Sequence, residues 1–277
     1  MSYLKDRVVV ITGAAGGFGR IVACEAAKRG AKIVACDISE QELADTVSLI
    51  EEQGGAAISV RADVTSETDM VNAVEAGVSN FGSVDILINN AGIMPLAYFS
   101  DHAKALKAWH RCIDINLKGV LNGIAAAHDT MIKQGRGHIV NISSIYSNRP
   151  VKGAAVYGAT KAAINYLAES LRMEAHGKIK VTTVRPTGVP KTGLNDAVIN
   201  EEAALCSLGT DAGETISRLM ALGEGKGKDS WMDSNNIEYL QLDPEFLCEQ
   251  IIYAIDQPWG VSISDVTVRA SGDMFIM

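Results

Sequence analysis

The chain has 277 residues, is 47% apolar and carries a formal net charge of −8. That composition gives a globular chain with one large or two small α/β domains' worth of core, and it excludes a disordered one. An acidic balance without a basic block argues against nucleic acid or an anionic membrane surface as partner, and no apolar run approaches the ~20 residues that span a bilayer.

The first residues lead straight into an apolar run and do not read as a signal peptide. The five cysteines are scattered without a Cys-x-x-Cys, and the five histidines lack metal-ligand spacing. Both facts point to free thiols in a reducing cytoplasm and to no metal site.

Residues 8–12 are a β-branched apolar run, as a strand buried on both faces requires. Gly13, Gly16, Gly17 and Gly19 follow, with Phe18 among them, and 20–29 reads as a helix closed by Gly30. Strand, glycine turn and helix make a phosphate-binding geometry, because small residues let the backbone approach and the helix start offers free N–H groups. An ordinary tight turn has the same outline. The spacing fits Gly-x-x-x-Gly-x-Gly and also Gly-x-x-Gly-x-x-Gly.

A second strand over 32–36 ends in Asp37. A carboxylate there accepts hydrogen bonds from a ribose diol and repels a 2′-phosphate. Ile38 follows, and the glycine turn holds no Arg or Lys, so the pattern favours NAD over NADP. Asp37 also fits as a cap for a helix over 39–53. A third strand over 57–62 runs into Asp63 and Val64, where Asp63 could meet an adenine amino group or simply end the strand. Thr65 or Ser66 would cap the next helix. A fourth strand over 84–88 enters Asn89, Asn90, Ala91 and Gly92: two amides to tie strands, then two small residues that leave room for a ribose.

One long helix is expected over 106–134, with Asn116 midway, either facing solvent or bending the helix over a water. A fifth strand over 137–142 leads to Ser144. Tyr157 and Lys161 stand at i and i+4 in a helical stretch and so project from one face. A phenol with an ordinary pKa of about 10 becomes a usable acid or base beside an ammonium, and a serine hydroxyl can hold the same substrate oxygen. A plain surface helix could also carry such a pair. A sixth strand over 179–184 leads to Pro186, Thr187 and Val189. From 191 to 243 the periodicity weakens and glycines gather at 223–227, which reads as an inserted helical lid. A helix over 244–257 and a strand over 261–268 close a single domain, 1–277.

Six βα units with every motif at a strand's carboxyl end predict a doubly wound, Rossmann-type parallel sheet. Taken together, Thr12-Gly13-x-x-x-Gly17-x-Gly19, Asp63, Asn89-Asn90-Ala91-Gly92, Asn116, Ser144 and Tyr157-x-x-x-Lys161 resemble the short-chain dehydrogenase/reductase family in its shorter, non-extended branch. The resemblance implies Tyr157 as acid–base, Lys161 lowering its pKa and holding a ribose, Ser144 polarising the carbonyl, and Asn116 holding a relay water. NAD would touch Gly13, Gly16, Gly17, Phe18, Gly19, Asp37, Ile38, Asp63, Val64, Asn90, Ala91, Gly92, Tyr157, Lys161, Pro186, Thr187 and Val189.

The chain departs from the family after the sixth strand, where Thr187 follows Pro186 in place of glycine. Lys191 stands where a threonine is usual, with Thr192 next. Substrate would meet Met94, Ser144, Tyr146, Tyr157 and Leu194, with Ile93, Ile145 and Val151 nearby. Their apolar character suggests a ring, terpenoid, steroid or aromatic alcohol; a small hydroxy acid and a catalytically silent NAD-binding sensor are the alternatives. The resemblance also implies a homodimer or homotetramer through the helices near 106–134 and 155–176.

Overall fold

The computed structural model describes residues 2–190 and 192–275. Its strands are β1 (Val8–Thr12), β2 (Lys32–Asp37), β3 (Ala56–Arg61), β4 (Ile86–Asn89), β5 (Gly137–Ile142), β6 (Ile179–Pro186) and β7 (Asp265–Val268). They form one parallel sheet in the order β3-β2-β1-β4-β5-β6-β7. The central strands β1, β4 and β5 are buried along their whole length, whereas the edge strands β3 and β7 alternate with exposed positions. That is the burial their sequences require: continuous apolar runs inside, mixed ones at the edges.

Helices α1 (Gly17–Lys28), α2 (Glu40–Glu52) and α9 (Pro244–Ile255) pack on one face, with Val22, Ala26, Leu43, Ile251 and Ile255 in a core against Val9 and Ile11. On the other face lie α3 (Glu67–Phe81), α5 (Gly119–Gln134) and α6 (Ala155–Glu174), which bury Val74, Ile124, Met131, Ile164 and Leu171 against Val8, Val10 and Leu87. Ser66 caps α3 by accepting from the Asp69 N–H. The doubly wound fold of one domain is therefore the one the sequence predicts.

Three elements differ from expectation. The fourth strand starts two residues late, because Gln134 hydrogen-bonds both the N–H and the carbonyl of Val84 through its side chain. The last strand is confined to β7, since the Val261 and Ile263 carbonyls accept from Lys180 and Thr182 side chains instead of a ladder. The helix expected over 106–134 is α4 (His102–Ile113), a π-helical turn at Asp114–Lys118, and α5. Extra residues in a turn of this kind mark local function more often than chance placement does.

The stretch between β6 and α9 holds α7 (Glu201–Leu205), α8 (Ala212–Gly223) and short 3-10 turns, so it is helical, as read from the sequence. Lys191 lies outside the described residues.

Candidate active site

The order of the strands reverses direction between β1 and β4, and the crevice beyond their carboxyl ends is where open α/β sheets bind ligands. A cleft of about 940 Å³ opens there.

Its first wall is the glycine turn. Gly13 and Gly17 have φ of +69° and +49°, a region that L side chains rarely adopt. Gly16 faces open space, with nothing within 4 Å of where a Cβ would stand. The α1 helix begins there with no side-chain cap and no acid in its first turn. Its free N–H groups are thus left for an anion. Gly19 does not line the cleft: a Cβ there would fall 2.0 Å from the Gly13 carbonyl, so its role is to let the helix pass close beneath the turn.

Side chains outside the motif hold that turn, and sequence reading missed them. Thr46, fully buried on α2, donates to the Ala14 carbonyl at 2.9 Å. Arg20 donates to the Ala15 and Glu42 carbonyls and to Thr46. Its guanidinium is committed to the scaffold. No spacing rule could have placed α2 against the turn.

Asp37 ends β2 on the cleft wall, accepting from the N–H groups of Ala15 and Ser39, both at 3.2 Å. The cap position of α2 belongs to Ser39, not to Asp37. Ile38 beside it is half exposed and also lines the cleft. Asp63 turns its carboxylate onto Thr65, which donates from both its N–H and its hydroxyl. The paired amides act as read. Asn89 donates to Asn141 of β5 at 2.9 Å, and Asn90 donates to the Thr12 carbonyl at 2.9 Å. Gly92 sits between two functional groups: a Cβ would meet Asn116 Oδ1 at 3.3 Å and Lys161 Nζ at 3.6 Å.

Asn116 is fully buried in the π turn and does not face solvent. Its Oδ1 accepts from the Ile93 N–H and its Nδ2 donates to the Ile93 carbonyl, each at 2.9 Å. Widening the helix by one turn aims the amide inward at the β4–α4 loop, which a regular helix at this position would not do. The Asn116 Nδ2 also lies within reach of Cys112 Sγ and Thr160 Oγ1.

Tyr157 and Lys161 come together on the buried side of α6, 2% and 4% exposed, and Ser144 meets Tyr157 through a hydrogen bond between their side chains. Lys161 Nζ donates to the Ile142 carbonyl at 2.7 Å and stands 5.7 Å from the centre of the Tyr157 ring. Ser143 holds the Lys161 carbonyl at 3.1 Å. Burial drives both titrations: it pushes the Tyr157 phenol up, opposed by the Ser144 hydrogen bond, and it brings the Lys161 ammonium down to about 8. The expected lowering of the Tyr157 pKa by Lys161 does not appear: the ammonium sits on the Ile142 carbonyl, and burial, Tyr146 and Cys112 all raise the phenol. The edge of Tyr146 packs on Tyr157 with ring centres 5.5 Å apart.

The far wall is apolar. Met94, Tyr146 and Leu194 line it; Pro186, Thr187 and Val189 after β6 also line the cleft, and the Thr192 carbonyl lies against the glycine turn, 2.7 Å from where a Cβ on Gly17 would stand. Val151 instead packs in the small core beneath, with Met94, Leu96 and Tyr157. Two features escaped the sequence altogether. Ser207 of the inserted stretch is buried and hydrogen-bonded to Tyr146. Asp273, Met274 and Phe275, beyond β7, also line the cleft.

A doubly wound sheet with a serine, a tyrosine and a lysine converging at its switch point defines an oxidoreductase built on a dinucleotide-binding fold. The chain belongs to the short chain dehydrogenase family, whose model matches residues 7–203. It is 37% identical over 270 residues to an uncharacterized oxidoreductase of Listeria monocytogenes, covering 96% of each chain. It is 31% identical over 270 residues to one of Staphylococcus epidermidis, covering 97% of this chain and 99% of that one. Among solved structures, an alcohol dehydrogenase of the archaeon Thermococcus sibiricus complexed with 5-hydroxy-NADP superposes with a TM-score of 0.76 at 21% identity, covering 96% of this chain and 97% of that one. A 7 alpha-hydroxysteroid dehydrogenase complexed with NADH and 7-oxo glycochenodeoxycholic acid gives 0.79 at 22%, covering 99% and 97%. At these identities the structural likeness is one of fold.

Proposed function

We propose that this oxidoreductase interconverts a secondary alcohol and a ketone with NAD, and that the substrate has an apolar body. The observation that carries the reading is the hydrogen-bonded Ser144–Tyr157 pair, with Lys161 beneath it, at the floor of a cleft whose outer wall is apolar. The cleft suits a dinucleotide. The Gly16 opening and the uncapped start of α1 fit a pyrophosphate, and the Asp37 carboxylate fits a ribose diol.

A bound nicotinamide supplies the hydride acceptor or donor. The protein's part is the proton. With its pKa raised, the Tyr157 phenol holds a proton that it gives to the ketone oxygen as charge develops there. Ser144 donates a second hydrogen bond to that oxygen. In the reverse direction Tyr157 takes the alcohol proton as hydride leaves the carbinol carbon. Lys161 lies close enough to favour the phenolate when it carries its charge. Asn116, locked to Ile93, holds the β4–α4 loop, and the Ile142 carbonyl holds the lysine side chain.

Asp37 makes the reading specific for NAD. Its carboxylate faces the cleft, Ile38 beside it carries no charge, and Arg20 is bound to backbone carbonyls and Thr46. A 2′-phosphate would meet repulsion without compensation.

Assembly through α4 and α6 accompanies this reading. A groove of about 380 Å³ lined by Phe99, Ile113, Leu117, Val156 and Ala159 lies between them, and Leu106, Tyr166 and Met173 are exposed nearby. Apolar faces of this kind pair across two-fold axes. We infer a homodimer or homotetramer, which sedimentation at micromolar concentration tests; a monomer there contradicts it.

The test of the activity is direct. Wild-type protein is offered a panel of aliphatic, aromatic and steroidal secondary alcohols with NAD, and nicotinamide reduction is followed by absorbance. Turnover with an apolar alcohol is the expected result, and none across the panel or its matching ketones with NADH overturns the reading.

A further inference from the structure

Beyond β7 the chain doubles back toward the cleft. The turn is tight: the Gly272 N–H donates to the Tyr239 carbonyl at 2.7 Å, and a Cβ on Gly272 would stand 2.5 Å from the Glu238 carbonyl oxygen. Only glycine fits there. Arg269 then reaches over the turn, with Nε 3.2 Å from both carboxylate oxygens of Asp273, whose side chain is 3% exposed. The same guanidinium donates to the Phe275 carbonyl at 2.5 Å, and the Phe275 N–H donates to Asp273 at 3.2 Å. Two side chains are thereby set against different elements. Thr215 of α8 donates to Met274 Sδ at 2.9 Å. The Phe275 ring lies over Gly188, where a Cβ would come within 2.4 Å of a ring carbon. Both side chains line the cleft that holds Ser144 and Tyr157.

We propose that Met274 and Phe275 determine substrate specificity: they form the wall on which the apolar body of the substrate packs, and the Arg269–Asp273 pair is the positioning element that holds this wall over Gly188 and against α8. This rests on the secondary-alcohol reading above. Three facts argue for it together. The two side chains have no polar group to spare for a dinucleotide. They line the same cleft as Ser144 and Tyr157, against Thr215 of α8 and Gly188 after β6, and Leu219 and Leu240 line it too. The fold itself does not need them, because the sheet is complete at Val268. Asp273, buried five residues past the last strand, keeps its carboxylate there only with the half-exposed Arg269 guanidinium and the Phe275 N–H on it, and those bonds fix the geometry of Met274 and Phe275.

The experiment compares wild type, Phe275→Ala, Met274→Ala, Arg269→Gln and a chain shortened after Gly272. Two substrates differing in apolar bulk, sec-butanol and naphthyl-ethanol, are assayed with NAD, and naphthyl-ethanol binding is titrated separately by its own fluorescence with NADH present. Phe275→Ala should lower the preference for naphthyl-ethanol over sec-butanol by about tenfold, mostly in KM, and weaken its binding by a similar factor. The KM for NAD should stay within about twofold. Arg269→Gln should move the same ratio in the same direction by less, with the aromatic ring still present. An unchanged ratio and unchanged binding in Phe275→Ala and Met274→Ala overturn the proposal, whether or not the shortened chain folds. A rise in the NAD KM with the alcohol ratio intact also overturns it, since the wall would then belong to the cofactor. If wild type turns over no alcohol, the secondary-alcohol reading fails, while the fluorescence titration still decides the wall; absent binding to wild type decides against it.

Discussion

The two walls of the cleft are built differently. The glycine-turn side is made of residues at the ends of central strands, each tied by side chains of its neighbours: Asn90 to Thr12, Thr46 to Ala14, Asn89 to Asn141. The opposite side is made of short helices and of the segment past β7. Of these, α8 buries none of its residues fully. The residues before it, 200–208, are tied to the body by Asn200 to Asp101 at 2.8 Å, Tyr98 to Cys206 at 3.3 Å and Ser207 to Tyr146, and by the buried Ala203 and Leu208. The difference suits the two ligands. On the reading proposed above, the cofactor meets the wall tied together by neighbouring strands, and the substrate meets the wall with fewer buried residues.

The comparison breaks most completely at the floor the walls share. Tyr157→Phe keeps the ring and its packing on Tyr146 but removes the proton. Turnover should fall by about a thousandfold while NADH binding, measured by its fluorescence, stays within about twofold. Near-normal turnover in that variant would end the assignment of Tyr157.

On the rigid side, Asp37→Ala should narrow the preference for NAD over NADP by about tenfold, and adding Ile38→Arg should narrow it further. Equal kcat/KM for the two cofactors in the wild type would show that Asp37 does not choose between them. On the opposite side, Ser207→Ala leaves the buried Tyr146 hydroxyl without its partner. The alcohol KM should rise about fivefold, matching about 1 kcal/mol, and the NAD KM should not. Equal changes in both would erase the distinction between the walls. Limited proteolysis sharpens it. Cleavage is expected near 223–228, where α8 ends, Gly225 has φ of +69° and a Cβ on Gly223 would meet open space, and NAD plus a substrate analogue should protect the site more than NAD alone. Identical cleavage in every condition would make the stretch a static insertion.

The smallest effect is one of stability. Burial depresses the folded-state pKa of Lys161 from 10.5 to about 8, so below pH 8 the fold carries the cost of a desolvated ammonium, and this cost fades as pH rises through 8 to 10.5. The full shift corresponds to about 3 kcal/mol, and the Ile142 carbonyl left without its donor returns roughly 1–2 of it. Lys161→Met should therefore gain about 1 kcal/mol in urea unfolding at pH 7, with the gain shrinking by pH 10, while turnover is lost. A loss of stability at pH 7 would mean that the lysine's hydrogen bond outweighs its desolvation.

How far the sequence reached follows the same division. Local rules located β1, β5, the glycine turn and the Tyr157–Lys161 face and narrowed the α3 cap to Thr65 or Ser66, because apolar runs, glycine clusters and i, i+4 spacing act within a few residues. The motifs carried at strand ends sufficed for the doubly wound fold class. Tertiary contacts decided the rest. A π turn that buries Asn116 depends on what Ile93 offers across the loop, and no helix propensity encodes that. The buried Thr46 reads as an ordinary helix residue until α2 meets the glycine turn. The raised phenol of Tyr157 comes from the desolvation of a whole floor, which only packing creates. Met274 and Phe275 are distant in sequence from every motif, and only the closing of the chain beyond Gly272 brings them to the cleft. Residues whose partners lie within a turn or two are fixed by sequence alone; residues whose partners come from another element acquire their role only when the chain has packed.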